Sequence, residues 1–193
     1  TQYQWWQLVS IGSRGIPGDC RAQHGTVANV MNYQHICVEP LTPTVGAMIS
    51  GIDLNDTLPD AAYEEIRQAL WRHGVVFLRR QALRPEAFLR LGTRFGEVET
   101  HEFFPHLEGF PQIQTIANQG HEAPETDRWH TDVTFRTRPN MVSILRITDL
   151  PPSGGDTLWM HAGAAFDALG EPLQQMLTSL QACLLYTSPS PRD

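Results

Sequence analysis

The sequence predicts a single mixed α/β domain, on the basis of two kinds of pattern and of the chain length. Short runs of apolar and β-branched residues end at glycine or proline, which is typical of strands. Between them, longer segments repeat apolar residues at helical spacing, which is typical of helices. The 193 residues are enough to bury one sizeable hydrophobic core.

The first half of the chain carries the clearest elements. One helix is predicted to begin near Thr57, with a hydroxyl cap, an early proline and an acidic first turn, and to stop at Gly74. A second helix is predicted to open at Pro85 and to end at Gly96. Strands are predicted at residues 36–38, 46–52 and 75–78.

The second half alternates loops with shorter elements. A helix is predicted over residues 162–169, and another begins at Pro172 with its apolar residues on one side. Those apolar residues are Leu173, Met176, Leu177 and Leu180. Strands are predicted at residues 113–117, 141–148 and 157–160.

Composition and charge exclude several classes of function. With 14 Lys and Arg against 21 Asp and Glu, the net charge of -7 argues against nucleic acid as a partner but leaves room for a small anionic substrate. No apolar run approaches the roughly 18 residues of a membrane span, and the first residues lack the layout of a signal peptide. The three cysteines show no metal-binding spacing, so we expect a reducing, cytoplasmic setting.

The segment Asp127–Phe135 holds a histidine and an aspartate two residues apart, and its residue types favour a strand. On a strand, His130 and Asp132 point to the same face, where an imidazole and a carboxylate can bind one metal ion. Together with a distant second histidine, such a pair forms the facial triad of non-haem Fe(II) oxygenases. From the spacing alone, a buried pair in which the carboxylate orients the imidazole remains the alternative.

The two ends of the chain differ in pattern from the middle. Residues 1–30 show no sustained periodicity, and Met31 is the expected natural start, so we predict a non-native or flexible extension there. Residues 31–182 are predicted to be the N-terminal part of the domain. Residues 183–193 end in a Ser/Pro-rich stretch that is expected to be an artefactual or disordered tail.

The residues around the His-x-Asp pair resemble the taurine/α-ketoglutarate dioxygenase family, which includes alkylsulfatases and chlorophenoxyacetate dioxygenases. The likeness extends, in order, over about residues 36–181, which makes it much more specific than a lone His-x-Asp. The segments that carry it are residues 41–43, 46–47, 50–54, 72–79, 94–97, 129–135 and 153–159.

The resemblance implies a mainly β fold, a double-stranded β-helix or jelly-roll with flanking helices, of which this chain would hold an incomplete part. It also implies Fe(II), with α-ketoglutarate and O2 as cosubstrates. In such enzymes the ketoacid is decarboxylated as O2 is split and the substrate is hydroxylated. Next to a sulfonate or an ether, the hydroxylated product breaks down to an aldehyde. Members of the family are often oligomeric, which allows a homo-oligomer.

The resemblance assigns roles to residues one by one. His130 and Asp132 match the first two iron ligands, and Thr157 matches a hydroxyl that binds the α-ketoglutarate carboxylate. The family's second iron histidine and its ketoacid-binding arginine lie in the C-terminal third, which no part of this chain matches. We therefore expect both residues downstream of Gln181 in the natural reading frame, and no turnover by the 193-residue chain alone.

Three further residues match substrate contacts of the family. His101 matches a histidine that contacts the sulfonate in taurine enzymes. Phe104 stands where those enzymes carry a tyrosine, and Thr126 stands where they carry an asparagine. These two departures indicate a substrate other than taurine itself, such as another sulfonate, a sulfate ester or a small organic acid.

Two other functions are compatible with the residues. One is a non-catalytic jelly-roll protein that binds a metal or a small molecule. The other is a hydrolase that uses His, Asp and a divalent metal, against which the absence of further His/Asp clusters in the sequence counts.

Overall fold

The computed structural model describes residues 6–11, 33–100, 105–117, 129–134, 136–149 and 151–181. The strands, in chain order, are β1 (Trp6–Ile11), β2 (Cys37–Pro40), β3 (Ala47–Ser50), β4 (Val75–Arg79), β5 (His106–Leu107), β6 (Phe110–Gln114) and β7 (Val142–Ile147). The helices are α1 (Asp60–His73), α2 (Pro85–Thr93), α3 (Ala162–Asp167) and α4 (Glu171–Thr178).

Five of the strands form one sheet in the order β2-β3-β4-β1-β7, and β5 and β6 form a separate antiparallel pair. Within the larger sheet only β2 and β3 are antiparallel, while the remaining neighbours run parallel. The mixed α/β class is therefore confirmed. The described residues contain helix and strand in comparable amounts, so the predicted mainly β character is not seen there. The double-stranded β-helix stays a prediction.

Strand β1 was not expected, because its segment lies in the predicted N-terminal extension. It pairs with β4 on one side and β7 on the other, with Val9 opposite both Phe77 and Leu145. Backbone hydrogen bonding to two neighbours holds a strand in place without any sequence periodicity. Whether residues 1–30 belong to the natural protein stays a prediction.

The core lies between α1, α2 and the sheet. Every buried apolar residue of the described part falls between Ile36 and Leu91. The run Val75–Leu78 of β4 is buried throughout, as expected for a strand that is covered on both faces. From α1, the predicted apolar stripe of Tyr63, Ile66 and Leu70 faces this core.

Several element boundaries differ from the sequence predictions. Helix α1 begins at Asp60 after Pro59, with no side-chain cap, so the predicted hydroxyl cap at Thr57 is wrong. Proline at this position already has an extended backbone and lacks an N–H, which suits the start of a helix. Residues 157–160 form no strand, so the strand predicted there is wrong. No helix in the described residues is long and apolar enough to cross a membrane.

Helix α4 has the amphipathic pattern that the sequence predicts, but nothing in the described part covers it. Leu173, Met176, Leu177 and Leu180 are all exposed, and α3 and α4 contain no buried residue. The predicted apolar stripe is therefore present on α4, but it is exposed in the described part of the fold.

The segment that leads into β2 is attached to α1 by one carboxylate. Glu65 accepts hydrogen bonds from the backbone N–H groups of Gln34, His35 and Ile36 at 2.8, 2.9 and 3.1 Å. The His35 ring lies 3.1 Å from the same carboxylate, of which 14% is exposed. Three backbone N–H groups therefore share this single side chain as their acceptor.

We expect Glu65→Ala to lower the free energy of unfolding by about 2 kcal/mol, because charge-assisted hydrogen bonds to three backbone N–H groups, one of them on the buried residue Ile36, are lost. Urea denaturation measures this change. The matched control is Glu64→Ala, whose carboxylate is 47% exposed and pairs with Arg67, so its cost should stay below about 1 kcal/mol. Equal effects at the two positions would contradict the prediction.

The same carboxylate predicts a pH dependence. Burial acts to raise the pKa of Glu65, but hydrogen bonds from the three backbone N–H groups and from His35 outweigh it, so the pKa lies below its usual 4.5. A carboxyl whose pKa is lower in the folded state stabilises the fold above its unfolded pKa and loses this effect as the pH falls. The difference in unfolding free energy between wild type and Glu65→Gln should therefore shrink below pH 4.5, and a difference that grows there would refute the prediction.

Gly74 joins α1 to β4 in a conformation that other residues adopt with strain. Its φ is +76°, its N–H donates to the carbonyl of Leu70, and an added Cβ would lie 3.3 Å from Cδ2 of His161. Only this glycine allows the chain to pass directly from the helix into the buried strand, which confirms it as the predicted helix stop.

We expect Gly74→Ala to lower the free energy of unfolding by about 1–2 kcal/mol, the cost of a left-handed backbone for an L residue. Thermal and urea denaturation measure it. Gly170→Ala is the control, since Gly170 has a φ of -62° and an added Cβ would make only an ordinary contact, 3.9 Å from Cδ of Pro172. At Gly170, alanine is a poorer helix N-cap, which destabilises the fold, but it makes the unfolded chain less flexible, which stabilises the fold. These two effects offset, so the free energy of unfolding should change by no more than about 0.5 kcal/mol.

Candidate metal site

The imidazole of His130 and the carboxylate of Asp132 lie together in the structure. Nε2 of His130 is 3.4 Å from Oδ1 of Asp132. The two side chains are 50% and 32% exposed, so the point between them is open to solvent. The predicted convergence of these two groups is therefore present in the fold.

The backbone around the pair is not a strand, so the prediction of a strand over residues 127–135 is wrong for the residues described. Residues 132–134 form a turn, and Val133 has a φ of +57°. A β-branched residue in the left-handed region is strained, and such strain is often found at functional sites. Val133 follows both His130 and Asp132, so the two side chains converge on the segment that leads into this turn, without the alternation of a strand.

Two contacts tie this turn to the rest of the fold. Ser143, in β7, donates a hydrogen bond of 2.6 Å from Oγ to Oδ2 of Asp132. Arg136 forms an ion pair with Glu99, which follows α2. Sequence reasoning missed Ser143, since its only signal is a hydroxyl among the mostly apolar residues of β7.

The donor set suits a metal such as Fe(II). A neutral imidazole nitrogen and a carboxylate oxygen are two of the three donors of a facial triad. Neighbouring ligand atoms about 2.1 Å from an octahedral ion lie about 3.0 Å apart, close to the separation of Nε2 and Oδ1. Among the residues that the structure describes, no group of three or more His, Cys, Asp or Glu gathers around one point, so the described part supplies two donors and no third.

Thr157 lies in an exposed segment that belongs to no helix or strand. Its hydroxyl makes no hydrogen bond with the other described residues, and its role at the cosubstrate stays a prediction. The same segment contacts β4 through Trp159, whose ring packs edge to face on that of Phe77 with 5.0 Å between the ring centroids. Thr157 thus lies two residues before this contact with β4, with an exposed side chain.

The predicted substrate contacts cannot be placed. His101, Phe104 and Thr126 all lie outside the described residues. His161 caps α3, since its Nδ1 accepts a hydrogen bond from the N–H of Ala164 at 3.0 Å.

Comparison with known proteins identifies the family. A sequence profile described as "Taurine catabolism dioxygenase TauD, TfdA family" matches residues 38–189, most of the chain. The chain belongs to this family of dioxygenases. The match includes His130, Asp132 and Thr157 and excludes β1, and it runs past residue 182, so the predicted boundaries at 30 and 182 stay predictions.

Individual relatives agree with the family. The chain is 36% identical over 163 residues to an alpha-ketoglutarate-dependent sulfate ester dioxygenase of Pseudomonas putida, which covers 82% of the chain and 52% of that protein. It is 35% identical over 153 residues to an alkylsulfatase of Acinetobacter baylyi, covering 77% of the chain and 47% of the relative.

A solved structure gives the same result. A taurine dioxygenase from Burkholderia xenovorans superposes with a TM-score of 0.64 at 35% identity, over 76% of this chain and 52% of that one. The chain thus spans about half the length of the relatives it matches.

Proposed function

We propose that this chain is part of an Fe(II)- and α-ketoglutarate-dependent dioxygenase that hydroxylates a small sulfonate or sulfate ester. The observation that carries the proposal is the 3.4 Å approach of His130 Nε2 to Asp132 Oδ1 in a family whose named relatives are α-ketoglutarate-dependent dioxygenases. A double-stranded β-helix, with iron between its strands, is the fold that we propose for the complete enzyme.

His130 and Asp132 would hold the iron as two ligands of a facial triad. The imidazole supplies a neutral nitrogen, and the carboxylate supplies negative charge that favours a divalent cation. Bound iron, with α-ketoglutarate, would supply the activation of O2 for hydroxylation. The exposed position between the two side chains leaves room for the cosubstrate to reach the metal.

Thr157 would bind the carboxylate of α-ketoglutarate through its hydroxyl. Support for this role comes from its exposed position and from the absence of another hydrogen-bond partner among the described residues. His101, Phe104 and Thr126 remain proposed substrate contacts on resemblance alone. The chain alone is expected to bind iron weakly, since affinity depends on the number of ligands.

The named relatives support a sulfur-containing substrate class. They include a sulfate ester dioxygenase, an alkylsulfatase and a sulfonate dioxygenase of Saccharomyces cerevisiae, the last 30% identical over 161 residues. Sulfonates and sulfate esters both carry a compact anionic group that a histidine or a hydroxyl can recognise. We propose a cytoplasmic enzyme of this class, with a small-molecule substrate as its partner.

The metal site is tested by titrating the full 193-residue chain with cobalt(II), an air-stable probe for Fe(II). We expect His130→Ala and Asp132→Ala each to weaken cobalt affinity by more than about tenfold, as each removes a ligand. His106→Ala, at an exposed histidine of the β5–β6 pair, is the control and should not change the affinity. Unchanged binding in both ligand variants would refute the site.

The substrate class is tested with the natural gene product that contains this sequence, supplied with Fe(II), α-ketoglutarate and O2. Hydroxylation beside a sulfonate releases sulfite and an aldehyde, whereas hydroxylation beside a sulfate ester releases sulfate and an aldehyde. We expect succinate to form in step with one of these two anions, measured by ion chromatography. Succinate formation that is unaffected by His130→Ala, or substrate loss without either anion, would contradict the proposal.

A further inference from the structure

The carboxylate of Asp132 has a different partner at each oxygen. Oδ1 lies 3.4 Å from Nε2 of His130, on the side where the metal would bind. Oδ2 accepts the hydrogen bond from Oγ of Ser143 at 2.6 Å. A hydrogen bond from a hydroxyl to a carboxylate is about twice as strong as one between neutral groups.

The turn that carries Asp132 does not itself orient the carboxylate. Its own hydrogen bonds run from the N–H of Arg136 to the carbonyl of Val133, and from the Thr134 hydroxyl to the carbonyl of Thr131. Neither of them reaches the Asp132 side chain. Among the described residues, the oxygen that faces away from His130 is held by Ser143.

Ser143 lies on a regular strand and occupies a position where an apolar residue would be expected. Side chains two residues apart on a strand share a face, so Ser143 shares its face with Leu145 and Ile147. These two pack against the cluster of Val75 and Phe77 in β4. On the opposite face, Val142 and Ile144 pack against the main core. A single hydroxyl in such a face is costly unless it has a partner, and here the partner is Asp132.

We propose that Ser143 is a positioning residue that fixes the Asp132 carboxylate so that Oδ1 faces the metal site. β7 is anchored on both faces by packing and along one edge by β1, whereas the turn is irregular and strained. Through its hydrogen bond, Ser143 holds the Asp132 carboxylate at a fixed position relative to β7. Hydrogen bonds of this kind to metal ligands typically change metal affinity by about 10- to 100-fold when removed. The inference rests on the proposed metal site and adds to it the residue that orients one ligand.

The test is a cobalt(II) titration of the full chain with Ser143→Ala and Ser143→Thr. We expect Ser143→Ala to weaken cobalt affinity by about 10- to 100-fold and Ser143→Thr, which keeps the hydroxyl, to restore most of it. Ser179→Ala, at an exposed hydroxyl that bonds its own helix, is the control and should leave the affinity unchanged. Urea denaturation of each variant separates a change in metal binding from a loss of folding.

A double-mutant cycle shows whether Ser143 acts through Asp132. In the Asp132→Ala background, adding Ser143→Ala should not weaken the residual cobalt binding further. Equal cobalt affinity in wild type and Ser143→Ala would overturn the inference and leave the proposed metal site standing. The same holds if Ser143→Ala weakens cobalt binding as much in the Asp132→Ala background as in wild type. If neither His130→Ala nor Asp132→Ala changes cobalt affinity, the proposed metal site is refuted. The role of Ser143 is then refuted with it.

Discussion

The burial of one face of α1 against β4 is the constraint on which the rest of the structure depends. Ile66 and Leu70 of the helix and Val76 and Leu78 of the strand are fully buried in one cluster. Burying a side chain of this size stabilises a fold by about 1.5–3 kcal/mol, so these four supply a large part of the core. Gly74 makes the contact possible, because it lets the helix stop and the strand begin at once.

The candidate metal site lies outside this core and is assembled by contacts between distant parts of the chain. Asp132 is held by Ser143 of β7, and the residues after the turn are held by the ion pair of Arg136 with Glu99. The site can therefore be exposed and strained while the core remains regular. Such a division is common, because a stable scaffold tolerates an irregular loop that carries binding groups.

The described residues after Leu91 have a different character from those before it. They include no buried residue, and large apolar side chains such as Trp129, Leu158 and Leu180 are exposed. Hydrophobic periodicity identifies the apolar face of a helix, but it carries no information about whether another element covers that face. For α4 the sequence therefore predicted the helix and its stripe correctly, and could not predict that the stripe would be exposed in the described fold.

The sequence by itself determined α1, β4, α2 and β7, because each has a strong local pattern and a clear end signal. It also placed His130 and Asp132 two residues apart and indicated the family, since these follow from residue identity and short spacing. Only the tertiary structure decided that Asp132 begins a turn and does not continue a strand, because the left-handed backbone of Val133 leaves no periodic signal. It alone placed β1 inside the sheet and brought Ser143 to Asp132, since strand pairing and a hydrogen bond across 11 residues depend on how the chain folds back.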